Sequence, residues 1–526
     1  INMTLNASLN IAKMAIQNNE FALNVISNNV ANMNTPGYCR QSVAFQSRAG
    51  YETYNYASSR SFNIGDGAEI AGIIRNRDQF LDNSYRSQSA DTGFYTQIGS
   101  MTSIIESTMN ELGEKGLQSA LNQFFEAAEA LAGDPSNKGY RIAYASALQS
   151  VADKFNQMSS SLQTAIKENV GEVGDAASFA GSKVKTTVDD LNSKLAQLAD
   201  LNQQVIRNTG VNGSANEILD KRDTLLDEIS AIIPITTTTN SNNTINVSFE
   251  GLTLVDGNQQ KLQFNAIQGT TEDKPAIIQI TSMEDPPKFR RDDMTAEASK
   301  SGTLGAILSS AGSTTVDGVN YSTVLAQLDQ LAAAFAEKLN EIQTGVNGTS
   351  TPMYINADGQ LEDSTTPLFV TKDGSADFTA GNISFNQDIM NDTNLIAAAR
   401  VTKELPDGAY DPENIGNGLN MDLVLDLKTE KLDSLAATPG GAPASLTEFL
   451  TNTVSSVGNT LSNIDNKAAT QQDVLSQIDN QRVSLYGVNL NEEVTDLIKY
   501  QRAYEAAARV FNVTNQMMQI LTSLGA

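Results

Sequence analysis

Between Leu5 and Val30 the apolar residues Leu5, Leu9, Ala12, Ile16, Leu23, Ile26 and Val30 recur at steps of four and three, with Asn19 in the one remaining place. That spacing is the seam of a coiled-coil helix, so the start of the chain is committed to a long helix with a partner along its length. The rest of the helix surface argues for more than one partner. Only Lys13 and Glu20 are charged before Arg40, and most other positions are Asn, Gln, Ser, Thr or Ala. A helix facing water carries far more charge. This one is expected to be surrounded by protein.

The far end of the chain mirrors the first. Leu450, Val454, Val457, Leu461, Ile464, Ala468, Leu475, Ile478 and Leu485 follow the same steps, with Gln471 and Arg482 completing the series. Gly487 interrupts it, and Asn489, with Glu492 three residues on, is placed to cap a new helix. That last helix carries Val494, Leu497, Tyr504, Ala508, Phe511 and Met518 on one stripe. A second stripe, Val510, Val513, Met517, Ile520 and Leu524, opens on another face, with Leu521 between the two and no charge after Arg509. Each terminal helix spans roughly 45 Å. The cost of ordering its backbone exceeds what burial of one seam returns. Both ends are therefore expected to be mobile in a lone molecule and helical when neighbouring copies cover them.

Composition removes most chemistry. The 526 residues suffice for several domains, and a net charge of −26 argues against nucleic acid, whose phosphates need clustered Lys and Arg. One Cys and no His leave no internal disulfide, no zinc-type metal site and no imidazole base. No cofactor, metal or catalytic residue is expected, and the chain does not read as an enzyme. No apolar run is long enough to span a membrane. The start lacks a basic segment followed by an unbroken apolar stretch, so export without a cleavable signal is expected.

Between the ends, helical and alternating periods trade places. Residues 42–78 read as short strands and turns. Helices follow at 78–112, 117–131 and 139–170, with Ser136 placed to cap the third and a Gly/Ala/Ser-rich interval at 171–182 placed to kink it; the period resumes from Val184. At Pro234 the pattern switches to strands, with Asp256-Gly257 as a turn, and near Leu304 it returns to helix. The fold class is mainly α with inserted β, an elongated helical bundle built from both chain ends. Residues 1–45 and 489–526 form the terminal coiled-coil assembly domain. The helical core takes 46–234, 300–345 and 417–488, with an inserted antiparallel β domain at 235–299 and a loop-rich insert at 346–416. Three strings tempt a chemical reading and lose it. Gly65-Asp66-Gly67 lacks the third Gly of a dinucleotide loop. Around Asn356-Ala357-Asp358-Gly359, Tyr354 and Thr365 stand where calcium ligands belong. Lys221-Arg222-Asp223 reads as a solvated helix face.

The segment after the first helix carries a motif. Pro36 forces Thr35 out of the α region, and Pro36-Gly37 fits the centre of a type II turn. Asn29 and Asn32 are placed to bond orphan groups at the helix end. The string Ser27-Asn28-Asn29-Val30-Ala31-Asn32, followed by Thr35-Pro36-Gly37-Tyr38, resembles the amino-terminal signature of bacterial flagellar axial proteins, the rod, hook and hook-associated proteins. Arg40-Gln41 at one end and Asn489-Leu490-Asn491-Glu492-Glu493 at the other resemble its hook-associated branch. So do Phe124-Phe125 with Asp134-Pro135 and Arg141, and Asn216-Glu217-Ile218-Leu219-Asp220-Lys221-Arg222-Asp223. Cys39 departs from the usual polar residue, without consequence for the turn geometry.

The resemblance implies a structural, extracellular component of the flagellum that joins hook to filament. Copies of the chain would form a short helical ring or layer through Leu5, Leu9, Ala12, Ile16, Leu23, Ile26 and Val30 on one helix. Val494, Leu497, Tyr504, Phe511, Met517, Met518, Ile520, Leu521 and Leu524 would serve on the other, with Asn29, Asn32, Pro36, Gly37 and Tyr38 in the turn. The implied neighbours are the hook protein, a second hook-associated junction protein and an export chaperone bound at the C-terminal helix during type III export. A hook or distal rod protein is the sibling alternative. An enzymatic or adhesive insert is the alternative of a different class; an enzyme would need a carboxylate pair in a cleft.

Overall fold

The structure is a computed structural model and describes residues 2–48, 51–55, 60–109, 116–209, 215–313, 315–316, 318–345, 351–355, 361–401, 417–436 and 442–524. The string 356–359 and Leu112 lie outside that set. Helix α1 (Asn2–Ala31) runs unbroken because it contains neither Gly nor Pro. It stops as the turn chemistry requires: the Tyr38 amide donates to the Thr35 carbonyl at 3.2 Å, and Gly37 takes a φ of 77°. Strand β1 (Gln41–Ser47) then pairs antiparallel with β4 (Ala68–Arg75), and β2 (Tyr51–Asn55) with β3 (Arg60–Ile64) between them.

Helices α2 (Gln79–Met109), α3 (Leu117–Gly133) and α4 (Lys138–Val170) follow. Asn137, not Ser136, caps α4, its Oδ1 accepting from the Gly139 and Tyr140 amides; the Ser136 hydroxyl turns back to Asp134. The small-residue interval breaks the chain rather than kinking it. Gly171 ends α4 with a φ of 81°, Asp175 caps the short α5 (Ala176–Gly181), and α6 (Lys183–Thr209) and α7 (Asn216–Ile232) start afresh.

Strands β5 (Thr236–Thr239), β6 (Ile245–Phe249), β7 (Leu252–Asp256) and β8 (Gln259–Gln260) form one antiparallel sheet in sequence order. Strands β9 (Leu262–Thr271), β10 (Lys274–Ser282) and β11 (Arg290–Arg291) form a second. Their alternate side chains Val247, Phe249, Phe264, Ile278 and Ile280 are buried in one core with Val188, Leu191, Leu195 and Leu198 of α6. Side-chain amides fasten the edges. Asn192 donates to and accepts from the Phe264 backbone, and Asn202 does the same with Ile245 and also donates to the Gly257 carbonyl.

Short helices α8 (Thr295–Ala298) and α9 (Gly302–Ser309) lead to α10 (Tyr321–Thr344), which opens on an Asn320–Thr323 capping box. Then come β12 (Thr351–Ile355), β13 (Leu361–Asp363), β14 (Phe369–Thr371), β15 (Ile383–Phe385), α11 (Gln387–Asn391), β16 (Ala399–Val401) and α12 (Leu419–Asp426). This region is anchored by edge-to-face and tilted aromatic contacts: the Phe335 ring lies 5.3 Å from Phe124 and 5.5 Å from Phe369. Arg141 is buried and donates to the carbonyls of Pro135, Thr393 and Ile396. Helix α13 (Leu446–Tyr486) runs from this core back along α2, and α14 (Leu490–Leu524) lies along α1. Neither of the two hydrophobic cores contains a residue of α1 or α14.

Candidate assembly interface

The two chain ends meet at one buried amide. Asn29 is 1% exposed at the last turn of α1. Its Oδ1 accepts from the Tyr38 hydroxyl at 2.9 Å and the Gln41 amide at 3.1 Å. Its Nδ2 donates to the Gln41 carbonyl at 2.9 Å and to Glu493 Oε2 at 3.0 Å. Every hydrogen-bonding position of the side chain is used, and the amide pairs with residue 41 as a neighbouring strand would. Burial pushes the Tyr38 phenol up to about 12, so it stays protonated and can donate. Glu493, 0% exposed, is held at its other oxygen by Arg40 Nε at 2.6 Å. Arg40 also reaches Asp496 at 3.3 Å and donates its backbone N–H to Tyr486. The turn is shaped to fit: a Cβ on Gly37 would lie 2.3 Å from Thr224 Oγ1. Beyond it opens a cleft of about 910 Å³ whose walls carry Asp200, Glu217 and Glu228.

One layer deeper, α2, β4, α7 and α13 are joined by charge. Asp223 lies 2.5 Å from Arg75, 3.2 Å from Arg77 and 3.7 Å from both Arg86 and Arg222. Burial pushes its carboxyl up, and the surrounding guanidinium groups outweigh that and hold it at about 2. Arg482 fills its seam position with a salt bridge: 2.7 Å to Asp227, 3.2 Å to Asp82, and stacked 3.9 Å from the Tyr85 ring centre. Gln471, the other polar place in that seam, meets Gln88 of α2. Cys39 is buried under this network, with its thiol on the Asn76 carbonyl at 3.3 Å; burial pushes the thiol up to about 11. The expectation of a solvated face at 221–223 is corrected here. Lys221 is exposed, but Arg222 and Asp223 are buried: arginines from β4 and α2 supply the charge that holds Asp223, and Arg222 is bonded to the Asn243 carbonyl, neither of which the local sequence shows.

Three family profiles match the chain. One described as flagellar hook-associated protein FlgK helical domain covers residues 102–351. One described as flagella basal body rod protein covers 9–38, and flagellar basal body rod FlgEFG protein C-terminal covers 480–524. Flagellar hook-associated protein 1 of Bacillus subtilis is 27% identical over 98% of this chain and 98% of its own length. That of Escherichia coli is 24% identical over 99% and 100%. The chain belongs to the flagellar hook-associated protein 1 family. The solved structure of the flagellar hook junction protein FlgK from Burkholderia pseudomallei shares its fold, with a TM-score of 0.56 at 14% identity over 76% of this chain and all of that one. Members of the hook-associated protein 1 family are structural components of the flagellum, not enzymes.

In this family member the two signatures at opposite ends of the sequence converge on Glu493. Of the seam expected on α1, Ala12 and Ile26 are buried, and Leu5, Leu9, Ile16, Leu23 and Val30 are half-buried. Toward the end of α1 the buried face shifts to Ala22, Val25, Ile26 and Asn29, because Asn29 must face Gln41 and Glu493. On α14, Leu497, Phe511, Met518 and Leu521 are half-buried, and the deepest positions are Glu493, Ala507 and Thr514. None of those three stood among the expected packing residues; Thr514 and Ala507 do sit one step along the same 4-3 series. Val494 and Tyr504 stay exposed, as does the second stripe: Val510 53%, Val513 49%, Met517 53% and Ile520 59%. The Leu524 side chain lies outside the described residues. In the turn Asn32 and Tyr38 are half-buried and Pro36 and Gly37 exposed. No helix of the described residues is long and apolar enough to cross a membrane.

Proposed function

We propose that the chain is a structural subunit of the hook–filament junction, outside the cell, and that copies pack through the α1–α14 pair into a helical ring or layer. The observation that carries this is the second α14 stripe, which α1 leaves bare. Val510, Val513, Met517 and Ile520 lie about one helical turn apart on a face with no charge beyond Arg509. An apolar strip of that kind on an elongated pair is satisfied when unlike surfaces of identical subunits meet, and such contacts propagate as rings or helices. Leu5, Leu9, Ala12, Ile16, Leu23, Ile26 and Val30 hold α1 to α14 in this scheme. Val494, Leu497, Tyr504, Phe511, Met517, Met518, Ile520, Leu521 and Leu524 hold α14 to α1 or to a neighbouring copy. Asn29, Asn32, Pro36, Gly37 and Tyr38 set the angle at which the pair leaves the core. The division into terminal domain, helical core and inserts at 235–299 and 346–416 belongs to the same proposal. So do the hook protein and a second junction protein as axial neighbours, and an export chaperone on α14.

Deletion tests it. Because both hydrophobic cores exclude α1 and α14, removal of residues 1–40 or 490–526 is expected to leave a folded, helical protein that no longer connects hook to filament. A deletion variant that still builds normal filaments contradicts the proposal.

A further inference from the structure

The arginine–aspartate network beneath the turn is unbalanced. Among the described residues, the guanidinium groups of Arg75, Arg77, Arg86, Arg222 and Arg482 face the carboxylates of Asp82, Asp220, Asp223 and Asp227. Arg75 has Asp220, Arg77 has Asp82, and Arg86 and Arg482 share Asp227. Arg222 has no carboxylate of its own. Its Nη1 donates to the Asn243 carbonyl and its Nη2 stands 3.7 Å from an Asp223 already claimed by others, while its side chain is only 6% exposed. Its Nε, with Arg86 Nη2 and Arg75 Nε, is buried without a hydrogen-bond partner among the described residues. Buried unpaired donors are costly, most of all on a charged group. All three arginines, with Arg77 and Asn243, line a cavity of about 620 Å³ between β4, the start of α2, α7 and the β5–β6 hairpin; Asp82 and Asp223 also line it, so its four arginines outnumber its carboxylates by two.

We propose that this cavity binds a small oxyanion, of the phosphate or sulfate class, on Arg222 and Arg86. An oxyanion brings several acceptor oxygens and a negative charge together, which matches the unbonded Arg222 Nε and Arg86 Nη2 and the lack of a carboxylate belonging to Arg222 alone. The site lies where the terminal arm joins the core, so an occupant would stiffen that joint; this goes beyond the assembly role and does not depend on it. The same chemistry can come from a free ion or from a carboxylate of a neighbouring copy.

The test titrates the full chain, dilute enough to stay monomeric, with sodium phosphate or sodium sulfate against sodium chloride at matched ionic strength. Calorimetry and the thermal unfolding midpoint are followed. Saturable binding with a rising midpoint is expected for the parent and for K221Q, whose exposed lysine controls for general charge. R222Q is expected to weaken phosphate binding at least about tenfold, the scale of one charge-assisted hydrogen bond. Because loss of a buried arginine can disturb folding, N243D provides the second arm: Asn243 is exposed, and a carboxylate at the cavity rim should weaken binding likewise. Assembly reactions separate the sources: phosphate inhibits assembly if a neighbour's carboxylate is the natural occupant and leaves it unimpeded if a free ion is. A response no larger than that to chloride, or one unchanged in both R222Q and N243D, overturns the site.

Discussion

Asn29 concentrates in one side chain what the amino-terminal motif is for. Replacing it with Ala would strand the Gln41 amide and carbonyl, the Tyr38 hydroxyl and one oxygen of Glu493. N29A is expected to cost about 2–4 kcal/mol, summing a few partly rehydrated groups, and to expose the Gln41 amide to hydrogen exchange. N29D should cost as much, since a carboxylate cannot donate to Glu493. G37A fails for two reasons, a φ of 77° and the Thr224 hydroxyl, and about 1–3 kcal/mol is expected in chemical denaturation. Asp223 gives the pH dependence. Its folded pKa of about 2 lies below the ordinary aspartate value of 3.8, so its charged form is favoured by folding. That contribution, about 2 kcal/mol, is fully present above pH about 4 and lost as pH falls toward 2. D223N should be less stable than the parent at neutral pH and should lack this share of the acid-induced loss, as read from denaturant midpoints across that window. The motif residues were legible as a helix stop and a turn. Their partners were not: Glu493 is 464 positions from Asn29, and nothing local distinguishes a carboxylate that will be buried from one that will be solvated.

At the scale of elements, the 4-3 seam on α13 announced a partner helix but not which one. Arg482 occupies an apolar place in that seam, an apparent misfit until α2 supplies Asp82 and Tyr85 and α7 supplies Asp227. R482A would take one of two cations from each of those carboxylates, leaving Asp82 to Arg77 and Asp227 to Arg86, and is expected to cost about 1–3 kcal/mol. Exchange protection is expected to fall in the first turns of α2 and the last turns of α13, with the Phe335 core unchanged. Cys39 offers a probe of the same joint. Buried and held protonated, it should react with thiol reagents at neutral pH only as fast as the joint opens, and R482A should speed that labelling. The elements themselves were largely readable, since periods of 3.6 and 2 and the Pro and Gly punctuation fix helices and strands locally. The break at 171–182 was less so. Gly171 ends α4 because Phe179 of α5 packs against it, with a Cβ there only 2.7 Å from the Phe179 Cα, a tertiary contact invisible to periodicity.

At the scale of the molecule, cores fed by residues 94–464 support a pair of terminal helices that add nothing to them. The acidic balance of −26 keeps free copies apart, and the uncharged stripe on α14 is the place where that repulsion is absent. The seam spacing made the terminal pairing readable, but which stripe faces α1 depended on where Asn29 and Glu493 lock the two helices in rotation. The most direct measurement is therefore made on the bare stripe. A V513E/M517E double variant alters side chains that touch neither core, and its circular dichroism and unfolding midpoint should match the parent. Cells carrying it should export the protein but fail to join filament to hook. Normal filaments on that variant would contradict the account.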